Sequence, residues 1–229
     1  MLKIENVTKS FTGVRANSNI SLQAKKGEVA LLLGLNGAGK STLIKCICGL
    51  LKFEGKIAVG GCDCRSLEAK RLIGYVPETP ALYDYLTVSE HLDFIERAYK
   101  CKNPGLRQEL LERFELEDKK DKLGKELSKG MQQKLSICCA LLHEPELIIF
   151  DEPMIGLDPL AIKTLKSIFL ELKQSGKTVL ISTHILDSVE NYWDKAYILS
   201  GGELKAEMSS DEGESLEELF FSVTGVENK

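Results

Sequence analysis

Gly34-Leu35-Asn36-Gly37-Ala38-Gly39-Lys40-Ser41-Thr42 satisfies the pattern G-x-x-x-x-G-K-[ST] at each of its fixed positions. Ahead of it Val29-Ala30-Leu31-Leu32-Leu33 is an unbroken apolar run, as a parallel strand buried on both faces requires. Behind it Leu43, Ile44, Ile47 and Leu50 recur at helical spacing. The reading is therefore strand, glycine loop, helix. Such a loop turns tightly enough to offer backbone N–H groups to phosphate oxygens, and the helix N-terminus behind it adds a partial positive charge. Lys40 is expected to reach the β- and γ-phosphates of a nucleotide, and Ser41 to offer its hydroxyl to Mg²⁺. A tight turn that binds nothing is the alternative, and the strand and helix on either side argue against it.

Length and composition narrow the rest. With 229 residues, 43% hydrophobic and 28% charged, the chain suffices for one large α/β domain or a core with an inserted subdomain. A net charge of −4 with acidic and basic residues interspersed gives no basic face, so no nucleic acid partner is expected. Met1-Leu2-Lys3-Ile4-Glu5 has neither the apolar core of a signal peptide nor an acylation motif, and no apolar window approaches membrane-spanning length. A cytoplasmic chain is expected. Its seven cysteines, an odd count, then read as reduced thiols, and the spacing of Cys46/Cys48 and Cys62/Cys64 is not that of a zinc knuckle.

Along the chain, Leu2 to Val7 alternates apolar and polar residues, and Ile20 and Leu22 repeat the pattern. These predict an antiparallel layer ahead of the phosphate loop, with Phe11 as an aromatic in the polar loop between, free to stack on a base. Short strands follow at Lys56 to Val59 and Ile73 to Val76, the second stopped by Pro77. Then the period changes to helical. Thr87 and Glu90 form a capping box, Asn103-Pro104 opens a second helix, and a third should begin at Ser128. Residues 85–143 thus read as an all-helical insert, with His91 and His143 on its helices as surface or packing residues. The sheet pattern resumes at Leu147-Ile148-Ile149-Phe150 and again at Thr178 to Ser182, with a helix capped by Asp158-Pro159 between them. Ala196 to Leu199 reads as a strand entering the Gly201-Gly202 turn, and Leu216, Leu219 and Phe220 as a short terminal helix.

Asp151 stands at the carboxyl end of a buried strand, where an open α/β sheet holds its ligands, and can reach Mg²⁺ directly or through water. Glu152 beside it points to the other side and is free to orient and deprotonate an attacking water. His184 follows the next buried strand, and its neutral imidazole can donate to a phosphate oxygen.

The order of these motifs resembles the nucleotide-binding domain of an ATP-binding-cassette transporter over essentially the full length. Phosphate loop, then Leu127-Ser128-Lys129-Gly130-Met131-Gln132-Gln133 resembling the family signature, then Ile148 to Glu152, Gly156-Leu157-Asp158 and His184 carry the likeness. The resemblance implies a P-loop NTPase core with a mainly parallel sheet, an N-terminal antiparallel β layer and the helical insert, all in one domain, 1–229. It also implies ATP and Mg²⁺ as cofactors, with two such subunits paired head to tail so that Ser128 and Gly130 of one approach the γ-phosphate held by the other. Phe11 would then stack on adenine, Asp158 would lie at the seam, and Pro77 to Leu86 would receive a helix of a separate transmembrane subunit. Two places depart from the family pattern. Lys129 and Met131 replace the usual Gly and Gln of the signature, and Glu78 stands where the family has Gln, as a ligand for Mg²⁺ or the attacking water. The segment from Tyr75 to Tyr83 and the run Leu157 to Ile162 are similar to the Ecs-type branch of bacterial exporters. The function this implies is an ATP-hydrolysing subunit on the inner face of the plasma membrane. A soluble relative acting on ribosomes or DNA, or a non-hydrolysing regulatory module, is the alternative.

Overall fold

The architecture comes from a computed structural model that describes residues 1–189, 192–213 and 215–225. The apolar run of β3 (Val29–Leu33) is the centre of a six-stranded sheet. Every one of its residues is buried, because Leu31 and Leu33 face one core while Ala30 and Leu32 face another. On one side β3 pairs in parallel with β8 (Thr178–Thr183), which carries β7 (Leu147–Asp151) and then β6 (Ile73–Val76), all parallel. On the other side β9 (Lys195–Ser200) is parallel to β3, and β10 (Glu203–Ser209) closes the edge antiparallel.

The expected antiparallel layer is present as a second sheet in the order β2-β1-β4-β5, from β1 (Leu2–Phe11), β2 (Val14–Ala24), β4 (Glu54–Val59) and β5 (Cys62–Asp63). Leu2, Ile4 and Val7 of β1 face inward and share a core with Leu43 and Ile47 of α1 (Lys40–Ile47). That helix ends one turn sooner than its apolar spacing predicts. Gly49 adopts φ +68° just past the end, and Leu50 is left exposed rather than buried. Cys48 accordingly caps the helix instead of lying within it. A short helix α2 (Leu67–Arg71) precedes β6.

Between β6 and β7 the chain is helical, with α3 (Val88–Tyr99), α4 (Pro104–Arg113) and α5 (Lys129–Leu141). Each start was legible in the local sequence. Thr87 and Glu90 bond reciprocally across the first turn of α3, Asn103 caps α4 ahead of Pro104, and the Ser128 hydroxyl accepts from the Met131 N–H at 3.3 Å. Val88, Leu92, Leu110, Phe114 and Leu135 of this insert share one core with Val76, Ile148 and Phe150 of the sheet. The insert is therefore packed onto the sheet and is not a detached lobe. His143 lies in the turn after α5 instead of on a helix, stacked on Tyr99 with ring centroids 3.8 Å apart. His91 is buried on α3, its Nε2 accepting from the Tyr83 N–H at 2.9 Å. α6 (Pro159–Gln174), capped by Asp158, leads into β8, and α7 (Leu216–Thr224) follows β10. All seven cysteines are free thiols.

Candidate active site

The phosphate loop is pinned from behind by β2. Gly39 sits at φ +101°, and a Cβ there would fall 2.5 Å from the Ala16 carbonyl oxygen and 2.5 Å from Asn17 Nδ2, so only glycine fits. The fully buried Asn17 side chain donates to the Gly39 carbonyl at 3.1 Å. Lys40 opens α1 with its side chain turned back over the loop. Its Nζ donates to the Gly34 carbonyl at 2.6 Å and lies 3.2 Å from Glu152 Oε1.

The two carboxylates diverge as the sequence suggested. Asp151 and Ser182 are register partners at the carboxyl ends of β7 and β8. Asp151 Oδ1 accepts from the Ser182 hydroxyl and, at 3.1 Å, from the Ser41 hydroxyl. Glu152 then turns the chain with φ +48°, its N–H held by Ser182. That turn aims its side chain away from Asp151 and toward Lys40 and His184. Glu152 is 5% exposed, and its Oε1 lies 3.0 Å from His184 Nδ1. A carboxylate only accepts, so Nδ1 carries the proton of that bond. A neutral His184 consequently spends its one N–H on Glu152. Donation to a phosphate oxygen, expected of the neutral ring, would need the imidazolium.

Above these groups opens a cleft of about 650 Å³, lined by Asn36 to Thr42, Glu152, His184 and Glu78. That size suits a nucleotide. Glu78 is exposed at its rim, and its charge helps hold the half-buried Tyr75 hydroxyl up from its ordinary pKa, after burial, Asp151 and Cys48. Among the described residues no cluster of three His, Cys, Asp or Glu side chains forms a metal cage. Mg²⁺ does not require one, since it takes one or two protein oxygens and completes its shell with phosphates and water. The hydroxyl and carboxylate of Ser41 and Asp151, already 3.1 Å apart, are such a hard-oxygen pair.

Phe11 is placed differently from the expectation. It ends β1 instead of lying in a loop, is 48% exposed, and carries the Lys9 ammonium 4.6 Å from its ring centroid. It does not line the cleft, but its cross-strand partner Val14 does. Ser128, Gly130 and Asp158 are also absent from the cleft wall. Ser128 and Asp158 are exposed and Gly130 half-buried, with Gly130 against the Gly156 carbonyl and Asp158 bonded to Lys134.

Two residues that hold the site escaped the sequence reading. Ser182 fixes Asp151 and the Glu152 backbone together, and Asn17 ties the loop to β2. Ser182 had a signal, being a polar residue at the end of an apolar parallel strand. Asn17 had none, because its contact depends on how β2 crosses behind the loop.

A family model described as ABC transporter matches residues 17–155. The ABC-type transporter ATP-binding protein EcsA of Bacillus subtilis is 40% identical over 90% of this chain and 86% of its own length. Among solved structures, the ATP binding subunit of an ABC transporter superposes with a TM-score of 0.91 at 38% identity, covering 98% of this chain and 99% of its own. The dimeric post-hydrolysis state of the ATP-binding cassette MJ0796, bound to ADP and Pi, matches with a TM-score of 0.81 at 29% identity over 91% of this chain and 98% of its own. The loop behind Lys40, the Asp151–Glu152 pair and these likenesses together place the chain in the ABC transporter family, among its ATP-binding subunits.

Proposed function

We propose that this chain hydrolyses ATP to power an exporter whose membrane-spanning subunit is a separate chain, two ATP-binding subunits pairing head to tail around the nucleotide. The observation that carries hydrolysis is the setting of Glu152. It is a buried carboxylate at the floor of the phosphate cleft, apart from the Ser41–Asp151 pair and oriented by His184. The backbone N–H groups of Gly34 to Thr42 and the Lys40 ammonium hold the β- and γ-phosphates, and Phe11, outside the cleft wall but paired with Val14 of its lining, stacks on an adenine that reaches beyond that wall. Glu152 takes the proton of a water whose oxygen bonds the γ-phosphorus while the bond from that phosphorus to the ADP oxygen breaks. His184 fixes the carboxylate for that transfer. Ser41 and Asp151, with Glu78 at the rim, are the residues that would hold Mg²⁺, which when bound neutralises charge on the phosphate oxygens.

The group at Ser128 and Gly130 lies outside the wall of its own cleft and suits the nucleotide of a second subunit, with Asp158 at the seam. The whole chain, 1–229, works as one ATPase domain in which 85–143 is the helical insert. A groove of about 650 Å³ between the segment after β6 and helices α3 and α5, lined by Pro77, Leu82, Phe94, Ile95 and Tyr99, suits a helix of the membrane subunit. Among the described residues no helix is long and apolar enough to cross a membrane. The chain would sit on the inner face of the plasma membrane through its partner.

The test is Glu152→Gln. It removes the base while leaving the phosphate contacts, so ATP should stay bound, turnover should fall by about 10²–10⁴-fold, and an ATP-dependent dimer should accumulate with Mg²⁺. Turnover at the wild-type rate would remove Glu152 from the reaction.

A further inference from the structure

Lys134, in the second turn of α5, is a buried cation with two carboxylates on it. Its Nζ lies 2.8 Å from Asp158 Oδ2 and 3.2 Å from Glu115 Oε2. The Lys134 side chain is 9% exposed, while those of Asp158 and Glu115 are 50% and 62% exposed. A lysine is rarely buried unless it is held by charges, and here the hold outweighs the cost. Burial alone would lower its pKa, yet the bonds to Asp158 and Glu115 leave it raised, and Asp158 is held below its ordinary value chiefly by Lys134.

The partner is placed where it matters. Asp158 uses its other oxygen, Oδ1, to cap α6 through the Ala161 N–H at 2.9 Å. Six residues earlier is Glu152, and the chain between them is two tight turns, Ile155 N–H to the Glu152 carbonyl and Leu157 N–H to the Met154 carbonyl. Ile155 of that loop lines the phosphate cleft. The same loop touches α5 at a second point. A Cβ on Gly130 would lie 2.8 Å from the Gly156 carbonyl oxygen, so the backbone of the first turn of α5 sits directly against the loop.

From this geometry we infer that Lys134 is a positioning residue, locking the helix that presents Ser128 to the loop that starts at Glu152, so that both enter the composite ATP site as one body. The inference rests on the reading that ATP is held between two subunits. Gly130 then has a duty within its own chain, seating the Gly156 carbonyl, besides any contact with a partner's phosphate. Glu115, exposed and on a loop after α4, is the lesser partner.

The experiment uses the full chain with Glu152→Gln as parent, reading ATP affinity under monomeric conditions and the ATP- and Mg²⁺-dependent dimerisation constant. Lys134→Met keeps most of the side chain's apolar length and removes the charge. Monomer affinity for ATP should stay within twofold, because the phosphate loop is untouched, while dimerisation weakens at least tenfold. Lys134→Arg should recover most of that loss, and Glu115→Gln should change neither quantity. Asp158→Asn keeps the cap, since Asn caps as well as Asp, and should reproduce Lys134→Met, with the double variant no worse than either single one. Unchanged dimerisation in Lys134→Met would overturn the inference. So would a parallel fall in monomer ATP affinity and melting temperature, which is the mark of a purely structural lysine. A parent that never dimerises with ATP would remove the composite site itself, and the role of Lys134 with it.

Discussion

Glu78 is the residue at which the cleft's charge is least expected. It lines the same cavity as Lys40 and Ser41, and it is exposed where the buried carboxylates are paired. Two unit charges about 4 Å apart in water repel by about 1 kcal/mol, and under the proposed function the γ-phosphate approaches this rim when the site closes. Replacing Glu78 by Gln should therefore leave ATP affinity of the monomer nearly unchanged, because the loop supplies it, while the ATP-closed dimer forms several-fold more readily. In the reconstituted transporter the ratio of stimulated to basal turnover should shift. The same ratio in wild type, Glu78→Gln and Glu78→Ala would show a solvated loop residue. At this scale the sequence exposes a residue when its chemistry is fixed by a local pattern, as with Lys40 and Ser41 in the loop. It hides what depends on a partner far along the chain. His184 was found as a residue at the sheet edge, but that its Nδ1 proton belongs to Glu152, thirty-two residues away, follows only from the parallel pairing of β7 with β8.

Elements were legible where their ends are chemically marked. Thr87, Asn103, Ser128 and Asp158 all cap the helices their sequences announce, because a cap needs only residues three positions apart. The two-residue strand β5 and the five-residue helix α2 were not legible, being too short to show a period, and β10 alternates in burial without an apolar run to mark it. What joins elements is also unmarked. Arg113 at the end of α4 forms a forked pair with Glu171 of α6, both bonds at 2.7 Å, and so straps the insert to the helix that precedes β8. Arg113 holds the Glu171 carboxyl below its ordinary value of 4.5. A carboxylate whose folded pKa is depressed contributes stability that is complete above its unfolded value and is lost as pH falls below it. With the pair partly exposed, at 25% and 49%, the contribution is about 0.2–1 kcal/mol. Arg113→Met should lower the urea midpoint at pH 7, and the gap from wild type should narrow as the pH is taken down below 4.5. A gap of the same size at neutral and acid pH would assign the loss to packing of the Arg113 stem rather than to the charge.

At the scale of the whole molecule, the strand order β10-β9-β3-β8-β7-β6 could not be read from the sequence, although all five of its parallel strands could. Each neighbour of β3 is reached by a crossover of more than a hundred residues, and no local pattern encodes which strand comes back beside which. That order sets the layout of function: it gathers the loop after β3 and the ends of β7 and β8 into one cleft, and it leaves the helical insert beyond β6 at the far edge of the sheet. The apolar groove between α3, α5 and the segment after β6 is lined by Tyr75 and Pro77, and Glu78 of the cleft is the next residue along, so an object seated there lies one residue from the nucleotide's rim. Phe94 is at its mouth, 48% exposed and edge-on to Tyr83 with centroids 5.6 Å apart. Because it is half in water and belongs to neither buried core, Phe94→Glu should alter the melting temperature by little and leave basal ATP turnover as it is. If, as proposed, an apolar helix of a membrane subunit docks there, a charge at that mouth must be desolvated, at a cost of several kcal/mol if it is fully buried. The variant should thus be lost from the membrane fraction while remaining an active ATPase. Recovery of Phe94→Glu with the membrane at the wild-type level would move the docking site of the transmembrane subunit elsewhere on the chain.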